Sequence, residues 1–367
     1  MTLPLYRNSG APDNFNGSQN AGLWYDKFCN KWNGEWTLKA RNRSAPKLEW
    51  INTLAGKKTG NAGLISEMSG RRAALASALC GQLRVFATDW HFVTGLGREH
   101  PVENGFAWHH TLGTAYLPGS SVKGLVRAWA REWEEDESKK KAVDRIFGPD
   151  SGEKHAGSVI FFDALPLSPV QLETDVMTPH YAGYYREESP PGDWMSPEPI
   201  QFLTVASGQE FLFTLAPRRP DEEGTAGDVE LAVTWLEEAL TWMGAGAKTA
   251  AGYGRLSRRE KEEEKLLKKQ QQEKEQAEAE ARLQKMSPLR REMEKDGYST
   301  DTNAFMQAMA SKWLKHMESA DTPAEEKTEI ASQLKEWYKE YKPKHWKKPN
   351  PKNKEKIESI NKVLRDR

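Results

Sequence analysis

The chain has 367 residues with 53 Lys/Arg against 53 Asp/Glu, a formal net charge of zero. That balance excludes a protein coated in basic surface, although a local basic groove stays compatible with it. Hydrophobic residues make up 37% and charged residues 29%, and mean hydropathy is −0.79, the profile of a globular chain with a strongly polar portion. No run approaches the roughly 20 apolar residues of a membrane helix, and no membrane partner is expected. The first residues, MTLPLYRNSGAPDN, lack the basic-then-apolar pattern of a secretion signal. The two cysteines, Cys29 and Cys80, have no CxxC spacing, so neither a disulfide scaffold nor a zinc finger is expected. A reducing, cytoplasmic setting follows as the expectation.

In chain order, residues 1–83 read as an N-terminal extension of short helices and loops, rich in Asn, Gly and aromatics such as Trp24, Tyr25 and Trp36. Residues 84–256 hold the readable fold. A strand is predicted from Leu83 to Thr88, then a Gly-rich loop. Ser120 or Ser121 is placed to cap a helix through Val122, Leu125, Val126, Trp129 and Trp133. GSVIFFDA (157–164) predicts a second strand, and 171–207 a long proline-containing excursion. Phe211–Leu215 predicts a third strand, Val229–Met243 a second helix, and Tyr253–Leu256 a fourth strand. The order is βαββαβ, an α+β domain of ferredoxin-like, RRM-like type.

Composition shifts after Gly254. From Leu256 onward there are 27 basic and 22 acidic residues, which places a domain boundary there. Residues 257–285 predict a linker helix polar on all sides. Residues 286–367 predict a small helical region, with Phe305, Met309 and Trp313, and Ile330, Leu334 and Tyr338, recurring every four positions. It ends in a basic, Pro-rich tail expected to be a flexible arm. Trp129, Trp133, Trp313 and Trp337 sit at helical spacing, which predicts core packing for all four.

Two segments carry chemistry. GAGAKTAAGYG (244–254) has four glycines and four alanines in its eleven positions, so its backbone is almost bare. Such a backbone permits positive φ and close approach of a ligand, and its N–H groups can form an anion cradle with Lys248 as a point charge. It is not a Walker loop, because GxxxxGK[ST] is unmatched and the segment follows a helix. The second segment, LPGSSVKG (117–124), places glycine and serines at a helix start, where N–H groups and the dipole favour anions. Lys123 in the first turn opposes that dipole, which a bound anion would offset, and Arg127 follows one turn later. Two anion sites more than a hundred residues apart suit a polyanionic strand better than one nucleotide. His91, His109 and Asp163 lack metal-ligand spacing, so no metal or cofactor is expected. Asp163 is expected to bond backbone N–H groups.

YLPGSSVKGLVR, GSVIFFDALP and GAGAKTAAGYGRL together resemble the RAMP superfamily of CRISPR RNA-binding proteins. GLGREHPVENGFAWHHTLGTAYLPGSS, DVMTPHYAGYY and SPEPIQFLTV resemble the family of sixth Cmr subunits of type III-B effector complexes. The resemblance covers about residues 84–256. It implies a non-catalytic subunit that holds the crRNA backbone near its 3′ end and caps the filament of backbone subunits. Its partners would be crRNA, target RNA, the backbone subunit and a neighbouring head subunit, in antiviral defence. By position it implies RNA contacts from Ser120, Ser121 and Lys123. The same holds for Gly244, Gly246, Lys248, Thr249, Gly252, Tyr253, Gly254 and Arg255 of the Gly-rich loop. Arg127, one turn after Lys123, is placed by spacing either to face the same groove or to lie on a solvated face. The excursion matches a base-wedging hairpin, to which residue type assigns Met177, His180 and Tyr181. Asp175 lies where backbone subunits keep a catalytic acid. An RNA endoribonuclease using Asp175 or a histidine is therefore the alternative reading.

Overall fold

A computed structural model describes residues 14–38 apart from 18, 45–150, 155–195, 197 and 199–365. The chain divides into two compact units, residues 1–270 and 271–367. The division falls inside the helix Glu260–Lys285, later than the compositional shift at Leu256.

The first unit is built on an antiparallel sheet. Strand Gln82–Thr88 lies between Leu256–Arg258 and Glu210–Pro217, and Val159–Phe161 pairs on the far side of Glu210–Pro217. Numbered along the chain as 1 to 4, the four strands stand in the order 4-1-3-2. Helices Gly119–Glu132 and Thr225–Trp242 connect them and pack beside each other. The central strand buries both faces. Leu83 and Val85 meet Ala73 and Leu212 on one side, while Phe86 joins the main core and packs edge-on against Phe213, 5.5 Å between ring centroids. Burying each such side chain contributes roughly 1.5–3 kcal/mol.

The N-terminal segment joins the same core. Asn20 Oδ1 accepts the N–H of Leu23 at 3.0 Å and starts the helix Ala21–Lys27. This sets Trp24 against Trp50 at 5.0 Å and Tyr25 against Trp108 at 5.7 Å. Gly22 makes the docking possible, because a Cβ there would lie 2.6 Å from Trp108 Cβ.

The excursion is ordered as a hairpin arm. Val170–Met177 pairs with Ile200–Val205 from Leu172↔Val205 to Met177↔Ile200, and Lys58–Thr59 adds a short third strand.

Three expectations need correction. Neither Ser120 nor Ser121 caps its helix. Pro118 occupies the cap position, both serines are exposed in the first turn, and Asp163 Oδ1 instead accepts the Gly119 N–H at 2.7 Å. The last strand begins at Leu256, so Tyr253 and Gly254 belong to the loop. The basic tail is not a free arm: Pro351–Arg365 is a helix and buries Ile357 and Ile360 in the second unit's core. There they join Phe305, Met309, Trp313, Ile330, Leu334 and Trp337.

Candidate nucleic-acid interface

The two sequence motifs converge on one cleft of about 420 Å³. Pro118, Ser121 and Leu125 line it from the helix start, and Met243, Gly244, Gly246, Ala247 and Thr249 from the Gly-rich loop. A third segment, Thr94–Arg98, completes the wall. Arg98 is exposed there. The sequence reading missed it, although GLGR (95–98) repeats the pairing of bare backbone with a cation. Gly95 takes φ +75°, and a Cβ on it would meet Ala107 N at 2.4 Å.

The glycines of the loop serve packing more than ligand approach. Gly246 at φ +85° would place a Cβ 2.1 Å from Val93 O, and Gly254 at φ +72° one 1.9 Å from Ala245 O. The N–H groups of Ala245, Ala247 and Gly254 donate inward, to Gly254 O, Val93 O and His91 O at 2.7–2.8 Å. Ala251, Gly252 and Tyr253 close a 3₁₀ turn on Lys248 and Thr249. Among the described residues, the loop N–H groups without an internal acceptor are those of Gly246, Lys248, Thr249 and Ala250. The anion cradle is therefore narrower than the composition suggests. Lys248 takes φ +61° and holds Nζ over the Phe202 ring of the arm at 5.5 Å. Gly252 lies on the turn, and Arg255 is exposed beyond it.

Lys123 does not line the cleft. It sits half-buried on the neighbouring helix face. Burial, then the nearby Arg127 and Arg218 guanidiniums, push its pKa below the usual lysine range. An anion docked there would offset the repulsion from the two guanidiniums and favour the charged lysine. Arg127 is engaged, bonding Asp150 and Gly148 O, and Arg218 donates to Gly157 O at 2.8 Å.

Asp175 is not a free acid. Tyr253 donates its hydroxyl to Asp175 Oδ2 at 2.5 Å, His91 Nδ1 lies 3.2 Å from the same oxygen, and the Val176 N–H donates to Oδ1 at 2.7 Å. Burial works to raise the Asp175 pKa, but these hydrogen bonds outweigh it and hold the carboxyl below its ordinary range. Burial, then the bond to Asp175, pushes the Tyr253 phenol up to about 12. The other nitrogen of His91 meets Glu173 Oε2 at 2.7 Å. Both ring nitrogens thus face carboxylates of the arm. His109 stands elsewhere: its Nδ1 accepts the Leu112 N–H at 3.2 Å, and burial lowers its pKa. His91 and His109 therefore do not form a shared ligand set, and among the described residues no cluster of three His, Cys, Asp or Glu is disposed to hold a metal.

At the end of the arm strand Met177 is half-buried, and beyond it His180 is exposed and Tyr181 half-buried. The larger exposed rings are ones the sequence reading did not name: Tyr185 at 73% and Trp194 at 80% exposure, with Tyr184 beside Tyr185.

Residues 85–257 match the RAMP superfamily. That span contains the cleft, the two long strands of the arm and most of the sheet, leaving out Gln82–Arg84 and Arg258 at the sheet's ends. The chain is also similar to the CRISPR system Cmr subunit Cmr6 of Pyrococcus furiosus, 32% identical over 231 residues. The match takes in 47% of this chain and 66% of that relative's length. Among solved structures, the crystal structure of Cmr6 from Pyrococcus furiosus aligns at 28% identity and TM-score 0.33, covering 49% of this chain and 98% of that one. A cryo-EM structure of the type III-B Cmr-beta bound to cognate target RNA aligns at 20% identity and TM-score 0.48, covering 61% and 77%. The helices after the RAMP span lie outside the matched residues. Among the described residues, no helix is long and apolar enough to cross a membrane.

Proposed function

We propose that this chain is the Cmr6-type subunit of a type III-B CRISPR effector complex and holds the crRNA backbone near its 3′ end without cutting RNA. The observation that carries the proposal is the meeting of the helix start and the Gly-rich loop at one cleft, within a RAMP-matched span similar to Cmr6. The 4-1-3-2 strand order supports the ferredoxin-like reading. Contacts made through backbone N–H groups and lysine carry no base information, so sequence selection falls to the guide. The partners are crRNA, target RNA and adjoining Cmr subunits.

The non-catalytic reading is supported by the engagement of Asp175 and His91, whose polar atoms are taken up by each other, Tyr253 and Glu173. A general acid or base needs an open face towards its substrate. The deciding experiment is an affinity pull-down of the tagged chain from its native host, with sequencing of bound RNA and mass spectrometry of bound proteins. Repeat–spacer RNAs arriving with RAMP-type partners are expected. An RNA-free monomer from cells that express a guide RNA overturns the proposal. Incubation with labelled RNA, with and without EDTA, tests the alternative: cleavage lost in Asp175→Ala would establish the nuclease.

A further inference from the structure

Helix Gly119–Glu132 divides two stripes. Lys123, Arg127 and Arg131 recur every fourth residue on one side, and Leu125, Trp129 and Trp133 on the other. Along the second stripe Leu125 and Trp129 pack half-buried against the core, and the stripe opens to water at Trp133. Trp133 is 60% exposed and stacks on Trp129 at 5.9 Å with the planes 17° apart. Trp129 donates its indole N–H to Glu238 Oε2 at 2.9 Å, which ties the stripe to the helix Thr225–Trp242. One turn beyond Glu238 on that helix, Trp242 is 67% exposed. Two tryptophans this open on adjacent helices hold a large apolar area in water, and such area marks interaction sites.

The surrounding charge selects the partner. Residues 132–137 (EWEEDE) carry five carboxylates in six positions. Of the lysines that follow, Lys139 lies 3.7 Å from Glu134 and Lys140 3.1 Å from Glu137. Lys141 is exposed beyond them, and Glu132 and Glu135 are exposed beside Trp133. A phosphodiester strand laid over these rings would meet that acidic rim, so the rings are poorly placed for base stacking. A protein surface with Lys or Arg around an apolar pocket would gain from both features.

We propose that the Trp133–Trp242 face docks a basic-rimmed protein surface, that of a neighbouring subunit in the same ribonucleoprotein. This rests on the effector-subunit reading and assigns a protein-binding face that borders the RNA-facing cleft at Leu125 and Met243. The test places a benzophenone amino acid at position 133 of the full chain, purified with its complex. Expected is a crosslink to a peptide of another subunit that contains Lys or Arg. A crosslink to RNA, to a second copy of this chain, or to nothing while the complex is intact overturns the inference and leaves the effector-subunit reading standing. If the wild-type chain brings down neither subunits nor guide RNA, that reading falls first and this one with it. As a second variant, Trp133→Ser/Trp242→Ser should recover at least about tenfold less of the crosslinked subunit, as expected for lost anchor residues. Because both rings are exposed, its circular dichroism melting curve should match the wild type. Unchanged recovery of that subunit also overturns the inference.

Discussion

The hydroxyl of Tyr253 donates to Asp175 Oδ2 across 2.5 Å and joins the Gly-rich loop to the hairpin arm. The two residues are 78 positions apart, and His91 reaches the same carboxylate oxygen from the segment after the central strand. Loop, arm and sheet are therefore locked at one acid. The acid on which the nuclease alternative rests thus carries bonds from Tyr253, His91 and the Val176 N–H. The geometry of the cleft depends on this lock, because the same loop supplies Gly244, Gly246 and Thr249 to its wall.

Tyr253→Phe should destabilise the first unit by about 1–3 kcal/mol, since it leaves a part-buried carboxylate short of a charge-assisted donor. The pH dependence has two arms. Asp175 titrates below its unfolded value, so its contribution is complete above the unfolded carboxyl pKa and is lost as pH falls through the folded one. Tyr253 is pushed up to about 12, above the ordinary phenol value of about 10. Its contribution is complete below pH 10 and is lost as pH rises towards 12. Melting temperatures of wild type and Tyr253→Phe should thus differ most at neutral pH and converge at both extremes. A constant difference across pH would refute the assignment.

The loop glycines are separable. Gly246→Ala forces a Cβ into Val93 O at positive φ and should cost about 3 kcal/mol or more by steric displacement plus backbone strain. Gly252→Ala, at φ +92° with nothing within 4 Å, should cost only about 1–2 kcal/mol. Chemical denaturation of the two variants checks the order, and equal losses would show that packing against Val93 is not what the glycine serves.

Lys123→Glu should weaken RNA binding about tenfold or more at moderate salt and lower the salt slope by roughly one unit, with no change in sequence preference. Lys123 has no ion-pair partner among the described residues, so the fold should survive the change. Fluorescence anisotropy with the assembled complex, at several salt concentrations, reads both quantities. Wild-type affinity would remove Lys123 from the interface.

Glu263 is buried, accepts the Val85 N–H at 2.9 Å, and pairs with Arg258 at 2.9 Å. It anchors the first turn of the long polar helix to the central strand. Glu263→Ala leaves the buried Val85 N–H without its acceptor while Arg258 keeps Glu237, which should cost about 1–3 kcal/mol. Glu264→Ala, one residue on and exposed, should be near neutral in the same thermal melt.

Ile360 is fully buried in the second unit. Ile360→Ala should cost that unit about 2–4 kcal/mol by cavity formation, and removal of residues 342–367 should expose its core. Proteolysis and thermal melting report this. A truncation that changes the salt slope of RNA binding but leaves the melt untouched would restore the flexible-arm reading.

Periodicity and β-branched runs were enough to read the four strands and two helices of the βαββαβ frame, because buried elements carry apolar residues at the spacing of their backbone, whereas the arm strands Val170–Met177 and Ile200–Val205 read only as a proline-containing excursion. The helical stripes through Phe305 and Ile330 were legible for the same reason. The convergence of LPGSS and GAGAKTAAGYG on one cleft was inferable only as chemistry, since each motif carries local backbone signals. What the sequence could not determine was which polar groups satisfy each other. Asp163 reaching Gly119, Tyr253 reaching Asp175 and Glu263 reaching Val85 each span at least 44 residues. No local pattern encodes such pairings, because they arise when separately folded elements meet. Trp133 marks the same limit: helical spacing gave it a face, but only the neighbouring helix decided that this face would lie open to water.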